Sequence, residues 1–294
     1  MENDFSFFQK VRLKLAYTFT RIIPDRYFLE WVFPIYTGYK LNLDNPKTYN
    51  EKLQWLKLYD RNPEYTTMVD KYEAKKYVAS IIGEEHIIPT LAVYDRAEDI
   101  DFTELPNQFV LKCTHDSGGV IICKDKSNFD KEAALNKLKQ GLKQNFYWKN
   151  REWPYKNVKP RIIAEKYMTD GDDSLNDYKF LCFHGEVKAL SIVTERMKDE
   201  ETKFDFFDEN YNHLPFTNGY PNATVLPQKP LCFVEMKKLA SELSQGIPHV
   251  RVDFYEVNGK VYFGEMTFFP GSGFTPFVPS EWESFMGDLI DILA

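Results

Sequence analysis

The spacing of apolar positions along this chain switches repeatedly between a helical and a strand period. Residues 5–23 (FSFFQKVRLKLAYTFTRII) read as an amphipathic helix in which Lys10, Arg12, Lys14 and Arg21 alternate with Phe, Leu and Ile. Pro46-Lys47-Thr48 precedes a second helical stretch, Tyr49 to Tyr59, with Leu53, Trp55 and Leu56 as its apolar face and Asn62-Pro63 as its break. A third helix is predicted from Tyr65 to Ile82, ended by Gly83. Asp70, Lys71, Lys75 and Lys76 lie along it, and most of them are expected to be solvated. Further helices are predicted over 130–147, over 233–244 and near 281–293.

Between these helices the pattern is that of strands. Residues 87–94, 108–114, 121–124 and 161–168 are short apolar runs. Residues 177–184 alternate, with Tyr178, Phe180 and Cys182 on one face and Lys179, Leu181 and Phe183 on the other. Gly185-Glu186 then turns the chain into a partner strand, residues 187–194. Lys179 and Arg196 stand near the two ends of that hairpin, where a surface position is the default. Residues 150–160 read as a polar connecting loop, and 204–230 as short strands and loops. The most strongly marked stretch is 251–274. Two strand-like runs flank Asn258-Gly259, the strongest short hairpin signal, and Pro270-Gly271-Ser272-Gly273 ends the second run.

That last hairpin carries chemistry. Asp253 on its first strand and Glu265 on its second are surrounded by apolar and aromatic residues, where a carboxylate is costly unless paired or bound to metal. Two acids on paired strands can share one hard cation. Arg251, two residues before Asp253, points to the same face. The residues are equally compatible with solvated acids on an outer face or with an ordinary Arg–Asp pair. Lys112 lies inside an apolar strand, and Ser117-Gly118-Gly119 follows it at the tip of a hairpin whose backbone N–H groups could close over phosphates. A plain β-turn has the same sequence. No GxxxxGK[ST] is present, so this is not a P-loop. The strand 161–168 ends in Glu165-Lys166-Tyr167-Met168, and Gly171-Asp172-Asp173 then marks a turn. Such a hinge can offer backbone groups to a flat base.

Composition narrows these readings. The 294 residues suggest roughly two domains or one elaborated one, with length enough for a sizeable core. A net charge of −7 argues against a nucleic-acid partner. Cys113, Cys123, Cys182 and Cys232 have no CxxC spacing and sit in apolar surroundings, so free thiols in a reducing cytosol are expected rather than zinc ligands or disulfides. No apolar run approaches the ~20 residues of a spanning helix. No secretory leader is expected either. The basic helix 5–23 runs against the acidic average of the chain. It is read as docked on the protein's own body, with an anionic membrane surface as the alternative.

The ordered set resembles the ATP-grasp superfamily from about residue 70 to the C-terminus: a strand lysine with a glycine-rich hairpin, a strand ending in Glu-Lys-Tyr-Met, then RVDF, an Asn-Gly turn, a strand Glu and Pro-Gly. More narrowly it resembles the TupA-like ATP-grasp proteins of bacterial surface-polysaccharide gene clusters, through NPKTYNEKLQWLKLYD, VDKYEAKKYV, FVLKCTHDSGG, DYKFLCFHG and RVDFYEVNGKVYFGEMTFFPGSGF. The resemblance implies an α+β fold with two α+β subdomains clamping ATP, here 71–168 and 169–294, behind a helical N-terminal extension, 1–70. It implies ATP-dependent carboxylate–amine ligation, with Asp253 and Glu265 holding Mg²⁺. Lys112 and Lys71 would serve the nucleotide phosphates, and Ser117, Gly118 and Gly119 the lid. Glu165, Lys166, Tyr167 and Met168 would hold the adenine, with Asp172 reaching the ribose. Lys179 and Arg196 would face the triphosphate, and Arg251 the transferring phosphoryl. Many members carry Asn two residues after the metal Glu, where this chain has Thr267, so the second metal position is open.

Family context implies a uronic-acid carboxylate of a surface polysaccharide as acceptor, an amino acid or other amine as donor, and a cytoplasmic location with peripheral contact at the inner membrane face through residues 5–23. A kinase on the same fold, a glycosyltransferase using Asp170-Gly171-Asp172 as a DxD motif, and a nucleotide-binding scaffold are the alternatives. The joint presence of Lys112, Arg251, Asp253 and Glu265 argues against a degenerate scaffold.

Overall fold

A computed structural model describes residues 5–171, 175–194 and 202–292. The chain opens with three helices, α1 (Phe7–Thr18), α2 (Asp25–Thr37) and α3 (Tyr49–Tyr59). Capping boxes start α1 (Ser6 with Gln9) and α3 (Thr48 with Glu51), each satisfying backbone donors that a helix start leaves open. The helix predicted over 5–23 therefore stops at Thr18, and α2, which that reading passes over, buries Phe28, Leu29, Val32 and Phe33 at helical spacing. These helices share a core with Phe274 from near the other end of the chain.

The single helix expected over 65–82 is two, α4 (Glu64–Val69) and α5 (Glu73–Ile82). Asp70 breaks it. Its backbone is extended, and its carboxylate accepts from the N–H groups of Tyr72 and Glu73, so local capping wins over helix propagation. Arg161 then holds the same carboxylate at 2.7 Å.

Next comes a four-stranded antiparallel sheet in the order β1-β4-β2-β3, built from β1 (Thr90–Tyr94), β2 (Phe109–Cys113), β3 (Ile121–Cys123) and β4 (Ile162–Lys166). Helix α6 (Lys131–Leu142) covers it through Leu138, and the short α7 (Tyr147–Asn150) follows, so the helix predicted over 130–147 ends early. Residues 151–154 are not a solvated connector. Arg151 and Glu152 are buried, and Arg151 pairs with Asp25 at 2.9 Å over the ring of Phe28. The loop thereby ties α2 to the rest of the protein.

The larger sheet has the order β11-β10-β5-β6-β7-β8 and is antiparallel throughout: β5 (Asp177–Phe183), β6 (Glu186–Thr194), β7 (Lys203–Asp208), β8 (His213–Leu214), β10 (Val250–Val257) and β11 (Lys260–Thr267). The short β9 (Thr217–Asn218) pairs with β12 (Phe277–Val278), and α8 (Phe233–Leu243) and α9 (Glu281–Asp288) complete the chain. Helices α4, α5 and α8 pack into the core of this sheet. Asn258 and Gly259 both have positive φ, as the predicted two-residue turn requires.

One feature of this sheet positions everything that follows. From the turn, Val257 pairs with Lys260 and Phe254 with Phe263, but Asp253 then pairs with Glu265, because a bulge at Gly264 adds one residue to β11. Without it Asp253 would face Gly264, and Glu265 would turn to the opposite side of the sheet. A Cβ at Gly264 would lie 3.1 Å from the Asp253 carbonyl oxygen and 3.2 Å from the Tyr255 ring. Gly264→Val is expected to cost about 1–3 kcal/mol through strain in a packed sheet, read as a lower urea midpoint. An unchanged midpoint would show that the bulge does not need glycine.

Candidate active site

The bulge brings Asp253 and Glu265 side by side, opposite Lys179 on β5 and with Arg251 facing Thr267 two pairs along. Arg251 grips Asp253 with two nitrogens at 2.7 Å each, and its Nη2 also reaches Glu265 Oε1 at 3.0 Å and Thr267 Oγ1 at 3.1 Å. Thr267 donates to Glu265 at 3.2 Å. Lys179 Nζ lies 2.5 Å from Asp253 and 3.3 Å from Asp177. Lys179 is buried, so it is an interior cation rather than the surface one its sequence position suggests. The reason is cross-strand: β5 lies between two covered neighbours, and its Lys179 meets the acid directly opposite.

The small sheet and the segment before α5 supply the other cations. Lys112 on β2 and Lys75 on α5 converge on Glu165 of β4, at 2.6 and 2.5 Å. Burial opposes the charge of Glu165, yet the two lysines outweigh it and hold its pKa below the ordinary range. Lys71 reaches back to the hairpin tip, donating its N–H to Thr114 and its ammonium to the Asp116 carbonyl. Burial lowers the Lys71 pKa, partly offset by Glu265 and Asp116. The expectation that Lys71, Lys75 and Asp70 are solvated is thus overturned for these three, while Lys76 is exposed.

Both halves act on Glu265. Its side chain is 41% accessible, but Arg251, Lys71, Lys179 and Lys112 all bear on it. Desolvation alone would raise its pKa, and these four cations instead hold it at about 2. For Arg251, burial opposes the charge and Asp253 and Glu265 more than restore it, so its pKa is raised. The result is a densely charged junction between the two sheets, with cations and acids paired around two central carboxylates.

Could a divalent cation sit there? Asp253 and Glu265 already meet one positive atom, Arg251 Nη2, at 2.7 and 3.0 Å, and the Thr267 hydroxyl adjoins them. Two carboxylates with a hydroxyl fit a hard cation whose remaining ligands come from phosphate and water. Among the described residues no group of three or more acidic, His or Cys side chains is placed to hold a metal ion. Cavities of about 300 and 600 Å³ lie elsewhere, beside Asn45 and Ile290 and beside Arg26 and Leu41.

The other sequence candidates are placed as follows. Ser117 and Gly118 are exposed and Gly119 half-buried at the β2–β3 tip. Lys166 is exposed, and Tyr167 and Met168 are half-buried just beyond β4. The Glu165 carboxylate is committed to the two lysines, leaving the backbone of 165–168 as what this segment can present. Asp172 and Arg196 lie outside the described residues. The sequence reading missed Lys75, Asp116 and Asp177. Lys75 follows Lys71 by one helical turn, and that spacing was the available signal. All four cysteines are free thiols, three of them buried.

A family model described as TupA-like ATPgrasp matches residues 51–291. No curated protein matches the chain. Among solved structures, D-alanine–D-alanine ligase from Bacillus anthracis complexed with ATP is 15% identical, with a TM-score of 0.43, over 76% of this chain and 63% of that one. The D-alanine–D-alanine ligase from Helicobacter pylori is 17% identical, with a TM-score of 0.42, over 82% and 69%. The ATP-grasp ligase PsnB, complexed with minimal precursor, Mg and ADP, is 10% identical, with a TM-score of 0.40, over 74% and 57%. The chain thus spans less than two thirds of the first of these relatives.

Two outcomes are expected from this geometry. Glu165→Gln removes the anion shared by two mostly buried lysines and should cost about 3–5 kcal/mol in urea unfolding; a loss under about 1 kcal/mol would place those lysines in water. Glu265 has a depressed pKa, so its stabilising effect is fully present above the ordinary carboxylate range and is lost as pH falls towards about 2. Wild type should therefore exceed Glu265→Gln in Tm at neutral pH, with the gap closing under acid; a gap that persists unchanged in acid would refute the cation-held carboxylate.

Proposed function

The chain belongs to the TupA-like ATP-grasp family, and on that premise we propose that it is an ATP-dependent carboxylate–amine ligase. The observation that carries the reading is the Asp253–Glu265 pair gripped by Arg251 and Lys179, with the charges of Lys71 and Lys112 also acting on Glu265. Buried cations paired with acids around an accessible carboxylate suit a polyphosphate chelating a metal ion, which would exchange with those pairs. The architecture is α+β, with a four-stranded and a six-stranded antiparallel sheet and a helical N-terminal part. In this reading 71–168 acts as the lid subdomain, 169–294 carries the metal hairpin and 1–70 extends the acceptor side.

The chemistry is an in-line phosphoryl transfer followed by acyl transfer. An acceptor carboxylate oxygen attacks the γ-phosphorus of ATP, the bond to the β–γ bridging oxygen breaks, and ADP leaves. The amine nitrogen then attacks the carbonyl carbon of the acylphosphate; phosphate departs with the C–O electron pair, and the nitrogen loses a proton. Asp253 and Glu265, with Thr267 beside them, would hold Mg²⁺, which would supply positive charge against the nucleotide phosphates. Lys112 and Lys71 take the phosphates from the lid side, with Ser117, Gly118 and Gly119 closing over them. Arg251, released in part from Asp253, balances charge on the transferring phosphoryl and on the tetrahedral intermediate, with Lys179 and Arg196 in support. The backbone of 165–168 receives the adenine and Asp172 the ribose. Such catalysis is mainly positioning and electrostatics.

The acceptor in this reading is a uronic-acid carboxylate of a surface saccharide and the donor an amino acid or similar amine. The high aromatic share, 24 Phe and 18 Tyr, suits sugar stacking. The protein acts in the cytoplasm, with a peripheral contact at the inner membrane face through residues 5–23.

Mg-ATP should raise the Tm of wild type in proportion to the logarithm of its concentration once above Kd, and should leave Asp253→Asn/Glu265→Gln unmoved. ADP release on adding a uronic acid should then require an amine; release without one would indicate a kinase. Absence of any shift at millimolar Mg-ATP, together with a response to a UDP-sugar, would replace the ligase reading with a glycosyltransferase.

A further inference from the structure

Helix α1 has two apolar faces, and only one of them is covered. At about 100° per residue, Leu13 and Ala16 fall on one side and are buried against α2. That side is anchored: Gln9 donates to the Ile35 carbonyl at 3.3 Å, and Tyr17 donates to Asn150 at 3.0 Å. Phe7, Phe8, Val11 and Leu15 occupy an arc of about 100° on the opposite side. Phe7 and Phe8 are 75% and 77% exposed, and Val11 and Leu15 are 39% and 43% exposed. Phe19 and Ile22, just past the helix, continue the strip at 46% and 75%. Isolated exposed apolar residues need no explanation, but a contiguous row of six on one helix and its exit does.

The borders of the strip identify its partner. Lys10 and Lys14 flank the arc on one side and Arg12 on the other, and α1 contains no acidic residue, in a chain whose net charge is −7. An apolar stripe bordered on both sides by bases matches the boundary of an anionic bilayer, where rings enter the acyl region and cations meet the headgroups. Docking on the body and docking on a membrane are therefore not alternatives for residues 5–23. They use opposite faces.

We propose that the outer face of α1, Phe7, Phe8, Val11 and Leu15 with Phe19 and Ile22, seats the protein on an anionic lipid surface while its inner face stays fixed to the fold. Tyr17 bonds Asn150, and Asn150 donates to Ser272 Oγ at 2.9 Å, in the loop five residues beyond Thr267. Helix α1 is thus linked by two hydrogen bonds to the loop that follows β11. Presentation of a lipid-linked acceptor there rests on the ligase reading; the membrane contact itself does not.

The experiment is co-sedimentation of the full chain with vesicles of phosphatidylcholine alone and of phosphatidylcholine with about 30% phosphatidylglycerol, a typical anionic fraction for such assays. Wild type should bind the anionic vesicles, less so at high salt. Phe7→Ser/Phe8→Ser and Arg12→Glu/Lys14→Glu should each weaken partitioning on the order of tenfold or more. Both variants should keep the Tm and the Mg-ATP response of wild type, since the substituted side chains are exposed. Failure of wild type to bind anionic vesicles, or wild-type binding by both variants, overturns the proposal. So does a wild-type dimer that Phe7→Ser/Phe8→Ser converts to a monomer, which would assign the strip to a second copy of the chain.

Discussion

Two carboxylates on neighbouring strands, both within 3.0 Å of one guanidinium nitrogen, are a constraint on the whole protein. Like charges that close repel, and in a partly desolvated setting the repulsion is strong. Glu265 is held ionised by cations from four directions: Arg251 on the facing strand, Lys179 on β5, Lys112 from the small sheet and Lys71 from the turn before α5. Each cation depends in turn on local structure. Lys112 needs Glu165 beside it, Lys71 needs the helix break at Asp70, and Glu265 needs the bulge at Gly264.

The N-terminal helices are part of this architecture rather than an appendage. Lys57 of α3 is fully buried, and its ammonium donates to Gln54, to the Asn150 carbonyl and to the Ser272 carbonyl, with the Phe274 ring 4.6 Å away. Burial pushes its pKa down to about 7. Ser272, at φ +55°, donates to Glu152, and Gln54 donates to the Gly273 carbonyl. The left-handed loop at 271–273 that follows the β10–β11 hairpin is thus held from outside by α3, by Asn150 and by the buried Glu152. A backbone in that sparsely populated region persists only where surrounding contacts fix it.

Elements governed by local rules were legible. The Asn258-Gly259 hairpin, the paired strands at 177–194, the Thr48 helix start and the β2–β3 hairpin follow from turn chemistry, alternation and capping. Elements decided by competition were not. The break at Asp70 is an apolar helical pattern overruled by one carboxylate, and Pro34 inside α2 masks a helix that its buried Phe and Leu residues stabilise. The segment 150–154 looked like a loop because it is polar, and it is buried because Arg151 and Glu152 find partners from distant parts of the chain.

By itself the sequence determined which residue types stood ready for chemistry: two acids on one hairpin, an arginine two residues from one of them, a strand lysine and a glycine-rich tip. Alternation and turn propensity act over a few residues, so they can be read without a partner. Whether those residues met was a tertiary matter. The facing of Asp253 and Glu265 depends on a one-residue register shift, and register is fixed by pairing rather than by either strand alone. The burial of Lys179 depends on strands covering β5 from both sides, and the convergence of Lys71, Lys75 and Lys112 depends on α5 packing beside a sheet. Charge interactions extend through space, not along the chain, and only the folded arrangement settled which cations answer which acids.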